Sequence, residues 1–140
     1  MACNSAKMFL AYVQAKGSTA TLLSEDENES VVRCGWKADN ITMDVYITFD
    51  ADDTHVSIEG CNWLQISEDK FDKALRAANE CNRSWRWVKF VVDTKHNQII
   101  ARDDAIIQLD SCAEEVEELV HRMVGIVDEA YPEFMKAFWT

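Results

Sequence analysis

Residues 110–140 read DSCAEEVEELVHRMVGIVDEAYPEFMKAFWT, and this stretch decides the fold. Its apolar side chains recur at steps of three and four, which places them on one stripe of a long helix. The members of this stripe are Val116, Leu119, Val120, Met123, Val124, Val127, Ala130, Tyr131, Phe134, Met135 and Phe138. Most of the stability of such a helix comes from packing, so the rest of the chain must supply a surface that covers the stripe.

Two local features set our expectations for the ends of this helix. Ser111 and Glu114 have the spacing of a capping box, in which each side chain hydrogen-bonds to the backbone amide of the other residue. Pro132 has no amide hydrogen, and its ring clashes with the preceding turn. We therefore expect the helix to begin after Ser111 and to kink or restart near Tyr131–Glu133.

The first half of the chain reads as a short helix over Ser5–Lys16 followed by strands. Strict alternation makes Ile41–Phe49 the clearest strand, and Thr19–Leu23, Ser30–Lys37 and Thr54–Gly60 have similar patterns. Short turns separate them, so we expect an antiparallel meander.

A second helix and a hairpin follow. Ser67 is a suitable N-cap for a helix that ends near Asn82. Its expected buried face consists of Phe71, Ala74, Leu75, Ala78 and Cys81. Trp85–Asp93 and Gln98–Arg102 read as the two strands of the hairpin, and Ala105–Leu109 as a short extended piece.

The element order is therefore α-β-β-β(-β)-α-β-β-α. Strands come as hairpins and not as βαβ units, which predicts the α+β class with one antiparallel sheet and helices packed on it. Neither an internal repeat nor a linker rich in Gly, Ser or Pro divides the chain, so we expect residues 1–140 to form a single domain.

Composition limits the partners. Fourteen basic and twenty-five acidic residues give a net charge of −11, which disfavours nucleic acid as a partner. Five scattered cysteines without a Cys-x-x-Cys motif indicate reduced thiols, so we expect a cytoplasmic protein. No run of about 18 apolar residues is present, and the N-terminus is too weakly apolar for a signal peptide, so we expect no membrane partner.

The sequence predicts no metal, cofactor or catalytic residues, and hence no enzyme. An EF-hand loop from Asp50 would need Gly at His55 and Glu at Cys61. His96 and His121 lack zinc-binding spacing with any other histidine, and phosphate, dinucleotide and nucleophile motifs are missing. A Cys–His pair brought together only by the fold stays open as an alternative.

Two further acidic and aromatic groups have alternative interpretations. Asp103 and Asp104 are either paired carboxylates or the exposed end of a hairpin. Trp63, Trp85 and Trp87 flank the second helix, and we take them as candidates for an interaction surface. In that interpretation Trp85 and Trp87 lie on the outer face of a strand; in the alternative, helices cover both faces of the sheet and the indoles simply pack there.

Residues 77–89, AANECNRSWRWVK, resemble a recurring signature of the YbjN-domain family, which is catalogued as regulators of bacterial sensory transduction. In that family a helix ends in an Asn-rich turn before a strand that bears Trp and Lys. The corresponding residues here are Asn79, Asn82, Trp87 and Lys89. Neither this signature nor the second similar segment is a catalytic motif.

The second segment is 127–136, and the resemblance spans roughly Phe9 to Trp139. It implies a fold like that of class I type III secretion chaperones, which are small, acidic cytosolic dimers. Those chaperones bind extended segments of client proteins without performing chemistry. The resemblance supplies no catalytic or ligand-binding residues for this chain.

Three functional hypotheses follow from these observations. The first is a non-enzymatic cytoplasmic protein-interaction module, chaperone-like or regulatory, that acts as a homodimer and binds a protein segment. The second is a small enzyme or ligand-binding domain with a pocket between sheet and helix, for example with Cys61 or Cys112 near His55. The third is an adaptor or toxin-neutralising protein whose acidic surface meets one basic partner.

Overall fold

The computed structural model describes residues 2–139 and contains one antiparallel sheet of six strands. The helices are α1 (Asn4–Ala15), α2 (Phe71–Ser84) and α3 (Cys112–Phe138), and the strands are β1 (Thr21–Glu25), β2 (Glu29–Lys37), β3 (Thr42–Asp50), β4 (His55–Cys61), β5 (Lys89–Asp93) and β6 (Gln98–Ile106). The strands lie in the order β1-β2-β3-β4-β6-β5, and all neighbours are antiparallel. The predicted α+β class is confirmed.

The helices cover one face of the sheet. On β3, the alternating residues Met43, Val45, Ile47 and Phe49 are buried against them, as the sequence predicts. The intervening residues of β3 point to the other face, where the structure described by residues 2–139 places no helix. This arrangement leaves an open sheet face, which we define as the face of the sheet opposite α1, α2 and α3.

The apolar stripe of α3 fills the middle of the core. Val116, Val120, Met123, Val127 and Phe134 are fully buried. Gly60 on β4 permits this close packing, since an added Cβ would lie only 2.6 Å from the Met43 sulfur and 3.2 Å from the Met123 sulfur. Burial of each large side chain contributes roughly 1.5–3 kcal/mol before the loss of conformational entropy.

Helix α3 continues through Pro132, so of the two expected alternatives, a kink or a restart, the restart is wrong. Proline at this position removes the amide that would normally bond to the Asp128 carbonyl one turn earlier. The Asn40 side chain replaces that donor, because its Nδ2 lies 3.3 Å from the Asp128 carbonyl oxygen. The pyrrolidine ring itself faces solvent, where it displaces no core side chain.

Neither predicted serine cap forms. Ser111 donates its hydroxyl hydrogen to Glu115, and Ser67 donates to Asp69, so neither hydroxyl accepts from a backbone amide. Both helices instead begin after short 3-10 turns, Glu68–Lys70 and Leu109–Ser111. The capping-box prediction is therefore wrong, although the Glu118–Arg122 pair of α3 forms with an N–O distance of 2.9 Å.

Two boundaries of the second half also differ from the prediction. Helix α2 extends to Ser84. Ala74, Ala78 and Cys81 are buried and Phe71 is partly buried against the core, as predicted, whereas Leu75 is 52% exposed. Strand β6 runs to Ile106 and includes most of the segment that was expected to be separate.

Candidate functional site

Trp63, which we expected at an interaction surface, lies in the core and offers almost no surface to a partner. Its side chain is 6% exposed, and its indole N–H donates to the Gly60 carbonyl at 3.1 Å. Its ring packs edge-on against Phe90 and Phe134, with centroids 5.9 and 5.7 Å away. The aromatic cluster of Trp63, Phe90 and Phe134 thus joins β5 to α3.

Trp85 and Trp87 lie in the connection between α2 and β5, and not on a strand as predicted. The half-buried Trp85 donates its indole N–H to Glu129 of α3 at 3.4 Å. Trp87 is 59% exposed, and the Arg122 guanidinium lies 6.0 Å from its ring centroid. Both indoles therefore turn toward α3 and away from the open sheet face.

Trp87 occupies a rare backbone conformation. Its φ is +75°, and the Val88 amide donates to the Arg86 carbonyl at 2.8 Å across it. A three-residue bond with positive φ defines the strained form of the γ-turn. For a bulky side chain such a conformation costs about 1–3 kcal/mol. The turn redirects the chain just before β5, so that pairing with β6 starts only at Lys89.

The late start of β5 leaves half of the outer edge of β6 without a strand. β5 pairs with residues 98–102 of β6, whereas β4 pairs with residues 101–106 on the opposite side. The Ile107 amide bonds to the Thr54 carbonyl beside β4. Because bonding directions alternate along an antiparallel strand, the amides and carbonyls of Asp104 and Ile106 face the strand-free side. We call residues 103–106, on that side, the free edge.

Strand β5 covers residues 98–102 on this side of β6, and the outer edge of β5 is itself closed at Phe90. Asn82 at the end of α2 accepts from the Phe90 amide at 2.6 Å and donates to the Phe90 carbonyl at 3.1 Å. One side chain thus satisfies both outward backbone groups of β5 at that residue. The asparagine singled out by the sequence therefore closes a sheet edge, which is a structural task.

Asp103 lies beside the free edge and is an unusual buried carboxylate. It pairs with Ile58 and so shares the helix-covered face, where it is 7% exposed. Burial raises its pKa to about 6. The Asp104 amide donates to this carboxylate, which draws the group toward the free edge. Among residues 2–139, no group donates to its Oδ2.

These positions decide between the two interpretations of the acidic pair. Asp103 and Asp104 are not paired, because neighbouring strand residues point to opposite faces. Both follow Arg102, the last residue of β6 that pairs with β5, and Asp104 is exposed there as the hairpin-end interpretation expects, whereas Asp103 is buried. Sequence reasoning missed Asp103 as a site residue, although the inward series Ile99, Ala101, Asp103 and Ala105 contains the signal. Because the strand was predicted to end at Arg102, the inward position of the Asp103 charge was not recognised.

The open sheet face is polar, half-buried and nearly balanced in charge. Arg33 pairs with Asp44, and Arg102 lies 3.9 Å from Glu59 and 3.6 Å from Asp104. The register places these charged residues on it: Arg33, Lys37, Lys89 and Arg102, with Glu29, Asp44, Asp50, Glu59, Asp93 and Asp104. Four basic and six acidic groups make this face far less acidic than the chain as a whole.

A groove of about 670 Å³ lies between α2 and α3. Its walls include Lys73, Arg76 and Lys136, together with Glu80 and Glu133. The second hypothesis expected a pocket between sheet and helix, whereas this groove is bounded by two helices. Three cationic and two acidic groups thus surround an apolar floor, and Lys136 lies 3.6 Å from Glu133.

The acidic turn gathers three possible ligands for a cation. Oxygen and nitrogen atoms of Asp50, Asp52 and His55 lie within 4.8 Å of one another. Thr54 already hydrogen-bonds to Asp52 through its amide and hydroxyl, and these bonds lower the pKa of Asp52. The side chains are exposed or half-exposed, as expected for a solvated turn, and this geometry differs from an EF-hand loop.

The fold does not bring a thiol to a histidine in the way the second hypothesis required. The Cys61 sulfur contacts Glu59, and burial raises its pKa to about 12. The Cys112 sulfur contacts the Ser5 carbonyl, and burial also raises its pKa. Both thiols are thus poorly ionised, whereas the His55 ring contacts Thr54 and the nearby aspartates.

Comparison with known proteins gives one family. Residues 5–136 match the YbjN family, described as "Putative bacterial sensory transduction regulator". No curated protein and no solved structure gives a significant match to the chain. A search of the part of the chain covered by the structure found no helix with the length and apolarity needed to cross a membrane. Since the family match covers nearly the whole chain, this chain belongs to the YbjN family.

Proposed function

We propose that this chain is a non-enzymatic regulatory module of the cytoplasm that forms a homodimer and binds a segment of another protein. The observation that carries the proposal is the open sheet face, which six strands build and no helix within residues 2–139 covers. A regulatory role agrees with the description of the family. The raised pKa values of the buried thiols favour binding over nucleophilic chemistry.

Charge supports the open sheet face as the dimer contact. Two copies that each carry a net charge of −11 repel one another over most of their surface. The open sheet face minimises that repulsion, since its ion pairs already neutralise most of its charge. Half-buried residues such as Tyr46 and Thr48 at its centre need little further dehydration when a second copy covers them.

Light scattering on the purified full chain tests the dimer. We expect a mass near twice 16.0 kDa for the wild type. Thr48→Glu adds a negative charge at the centre of the open sheet face and should give the monomer mass. Leu75→Glu adds the same charge on the exposed side of α2 and should leave the dimer intact. A monomeric wild type, or equal masses for both variants, would refute the proposed contact.

Photo-crosslinking in bacterial lysate tests segment binding. A benzophenone amino acid in place of the exposed Trp87 should give adducts with a small set of proteins. The same group in place of the exposed Leu75 should not give those adducts. Absence of adducts specific to position 87, combined with peptides that fail to bind the purified chain, would refute the binding role.

The groove between α2 and α3 favours a second candidate function, the binding of a small anion. Lys73, Arg76 and Lys136 concentrate positive charge on a protein that is acidic overall. Calorimetry with citrate is a direct measurement. Binding that is lost in Arg76→Ala and retained in Arg83→Ala, a basic control on the same helix, would support this candidate.

A further inference from the structure

We propose that the free edge of β6 binds an extended protein segment as an added antiparallel strand, and that a basic residue of the segment faces Asp103. This inference rests on the proposed binding function and gives it a site and a partner chemistry. The partner is a segment in which basic and apolar residues alternate. Addition of a strand to an exposed sheet edge is a recurring mode of peptide recognition.

The backbone supplies the first part of the argument. The Asp104 carbonyl and both backbone groups of Ile106 face the side of β6 that β5 leaves without a strand. The Asp104 amide also faces this side, where it donates to the Asp103 carboxylate in the free protein. The other edges of the sheet are less suitable. Asn82 occupies the outward groups of Phe90 on β5, and a register shift between Leu22 and Ser24 bends β1.

Asp103 supplies the second part. A carboxylate that is 93% buried, as its 7% exposure implies, normally has its oxygens hydrogen-bonded, yet Oδ2 has no donor among residues 2–139. An incoming segment would bury this group completely. A neutral apolar residue opposite Asp103 would leave the charge unpaired, whereas Lys or Arg would donate to it. Asp103 therefore selects against apolar segments and in favour of basic ones.

The geometry of the strand sharpens this selection. Asp103 directs its own backbone groups toward β4, so it would form a non-hydrogen-bonded pair with the added strand. Side chains approach most closely in such pairs, with Cα atoms about 4.5 Å apart. The residues one and three positions from the basic residue would pair with Asp104 and Ile106, whose side chains lie on the open sheet face. Ile106 is 75% exposed, which favours an apolar residue there.

Charge complementarity and the neighbouring turn support the same occupant. A chain with net charge −11 attracts basic segments from a distance. The exposed indole of Trp87 adjoins the start of β5 and offers an apolar contact at the end of the added strand. The backbone of Trp87 is strained, and a strained conformation persists only where the surrounding structure supports it.

The test uses a fluorescein-labelled peptide with three Lys-Val repeats and the full-length chain. We expect saturable binding at moderate salt, with the largest nuclear magnetic resonance shifts at the amides of Asp104 and Ile106. N-methylation of the valines should weaken binding at least about tenfold, because their amides face β6 in the antiparallel arrangement. N-methylation of the lysines, whose amides face solvent, should change the affinity by less than about threefold.

Variants of β6 provide the matched controls. Ile106→Pro removes an amide that faces the free edge and spares the bonds to β4, so it should weaken binding about tenfold and leave the fold intact. Ile106→Thr keeps the amide and should bind like the wild type. Asp103→Asn should weaken the Lys-Val peptide and leave a Ser-Val peptide unaffected.

Two results would overturn the proposal. The first is equal binding of the Lys-Val peptide by Ile106→Pro and the wild type, with the nuclear magnetic resonance shifts on the open sheet face or in the α2–α3 groove. In that case the protein binds segments at another site. The second is a change of oligomeric mass in Ile106→Pro, which would make the free edge a contact between two copies. Failure of every peptide together with failure of the crosslinking experiment would count against the proposed function itself.

Discussion

The two halves of β6 have very different surroundings on the side away from β4. Residues 98–102 meet β5, and the aromatic cluster and Asn82 hold that strand in place. On the side away from β4, residues 103–106 meet no strand within residues 2–139. They include the buried carboxylate of Asp103, whose Oδ2 has no hydrogen-bond donor among these residues. Strand β5 begins at Lys89, shortly after the γ-turn at Trp87, so pairing along this side of β6 stops at Arg102.

The largest expected effect concerns the closed half. Phe134 is fully buried, and its ring lies 5.4 Å from Phe90 and 5.7 Å from Trp63. Phe134→Ala should therefore lower the free energy of unfolding by about 3–5 kcal/mol, measured by urea denaturation. Leu75→Ala on exposed α2 surface should change it by less than about 0.5 kcal/mol. Similar losses for both variants would contradict the core assigned to β5 and α3.

The next effect concerns Asp103 in the open half. Burial raises its pKa in the folded state to about 6, above the ordinary value of 3.8, so the folded state binds the proton more tightly. The contribution of Asp103 to the free energy of unfolding therefore falls as pH rises from 3.8 to about 6, and it stays low at higher pH. Asp103→Asn should raise the free energy of unfolding by as much as about 3 kcal/mol at pH 7.5 and by little at pH 4.

Denaturation at both pH values measures this difference. Leu75→Ala, an uncharged change on the exposed side of α2, is the control and should give the same small difference at both pH values. A stabilisation by Asp103→Asn that is the same at pH 4 and pH 7.5 would show that the ionised carboxylate is well accommodated in the folded protein.

Opening the closed half should have an intermediate effect. Asn82→Ala leaves the buried amide and carbonyl of Phe90 without their partner and should cost about 1–2 kcal/mol. Faster hydrogen exchange of the Phe90 amide would show the loss directly. Asn79→Ala, at an exposed position on the same helix, should leave that exchange rate unchanged. Protection of Phe90 in Asn82→Ala would mean that another group closes this edge.

The smallest expected effect comes from the γ-turn. Glycine adopts positive φ without a steric penalty, so Trp87→Gly should be more stable than Trp87→Ala by about 1 kcal/mol. Both variants lack the indole, which makes the comparison specific for backbone strain. Equal melting temperatures for the two variants would contradict a strained turn at this residue.

Sequence periodicity predicted most of the fold because burial follows the pattern of apolar residues. The alternation of Ile41–Phe49 and the stripe of α3 appear in the structure as predicted. Trp85 and Trp87 misled the prediction because aromatic residues favour strands, whereas contacts with Glu129 and Arg122 hold them beside α3.

The candidate site could be predicted only in part, because it depends on which groups lack a partner. The inward position of Asp103 is visible in the alternation of β6, but β5 starts after a turn that no residue type signals. A tryptophan at positive φ is rare, and Gly or Asn would have indicated it. The replacement of the Pro132 hydrogen bond by Asn40 is likewise a contact between distant residues.

The most direct test is amide hydrogen exchange along β6, measured by nuclear magnetic resonance on the full chain. We expect slow exchange at the amides of Ile100, which faces β5, and of Ile107, which bonds to Thr54. The amide of Ile106 should exchange fast. Addition of the Lys-Val peptide should then slow exchange at Ile106. Equal protection of Ile106 and Ile100 in the free protein would contradict the free edge.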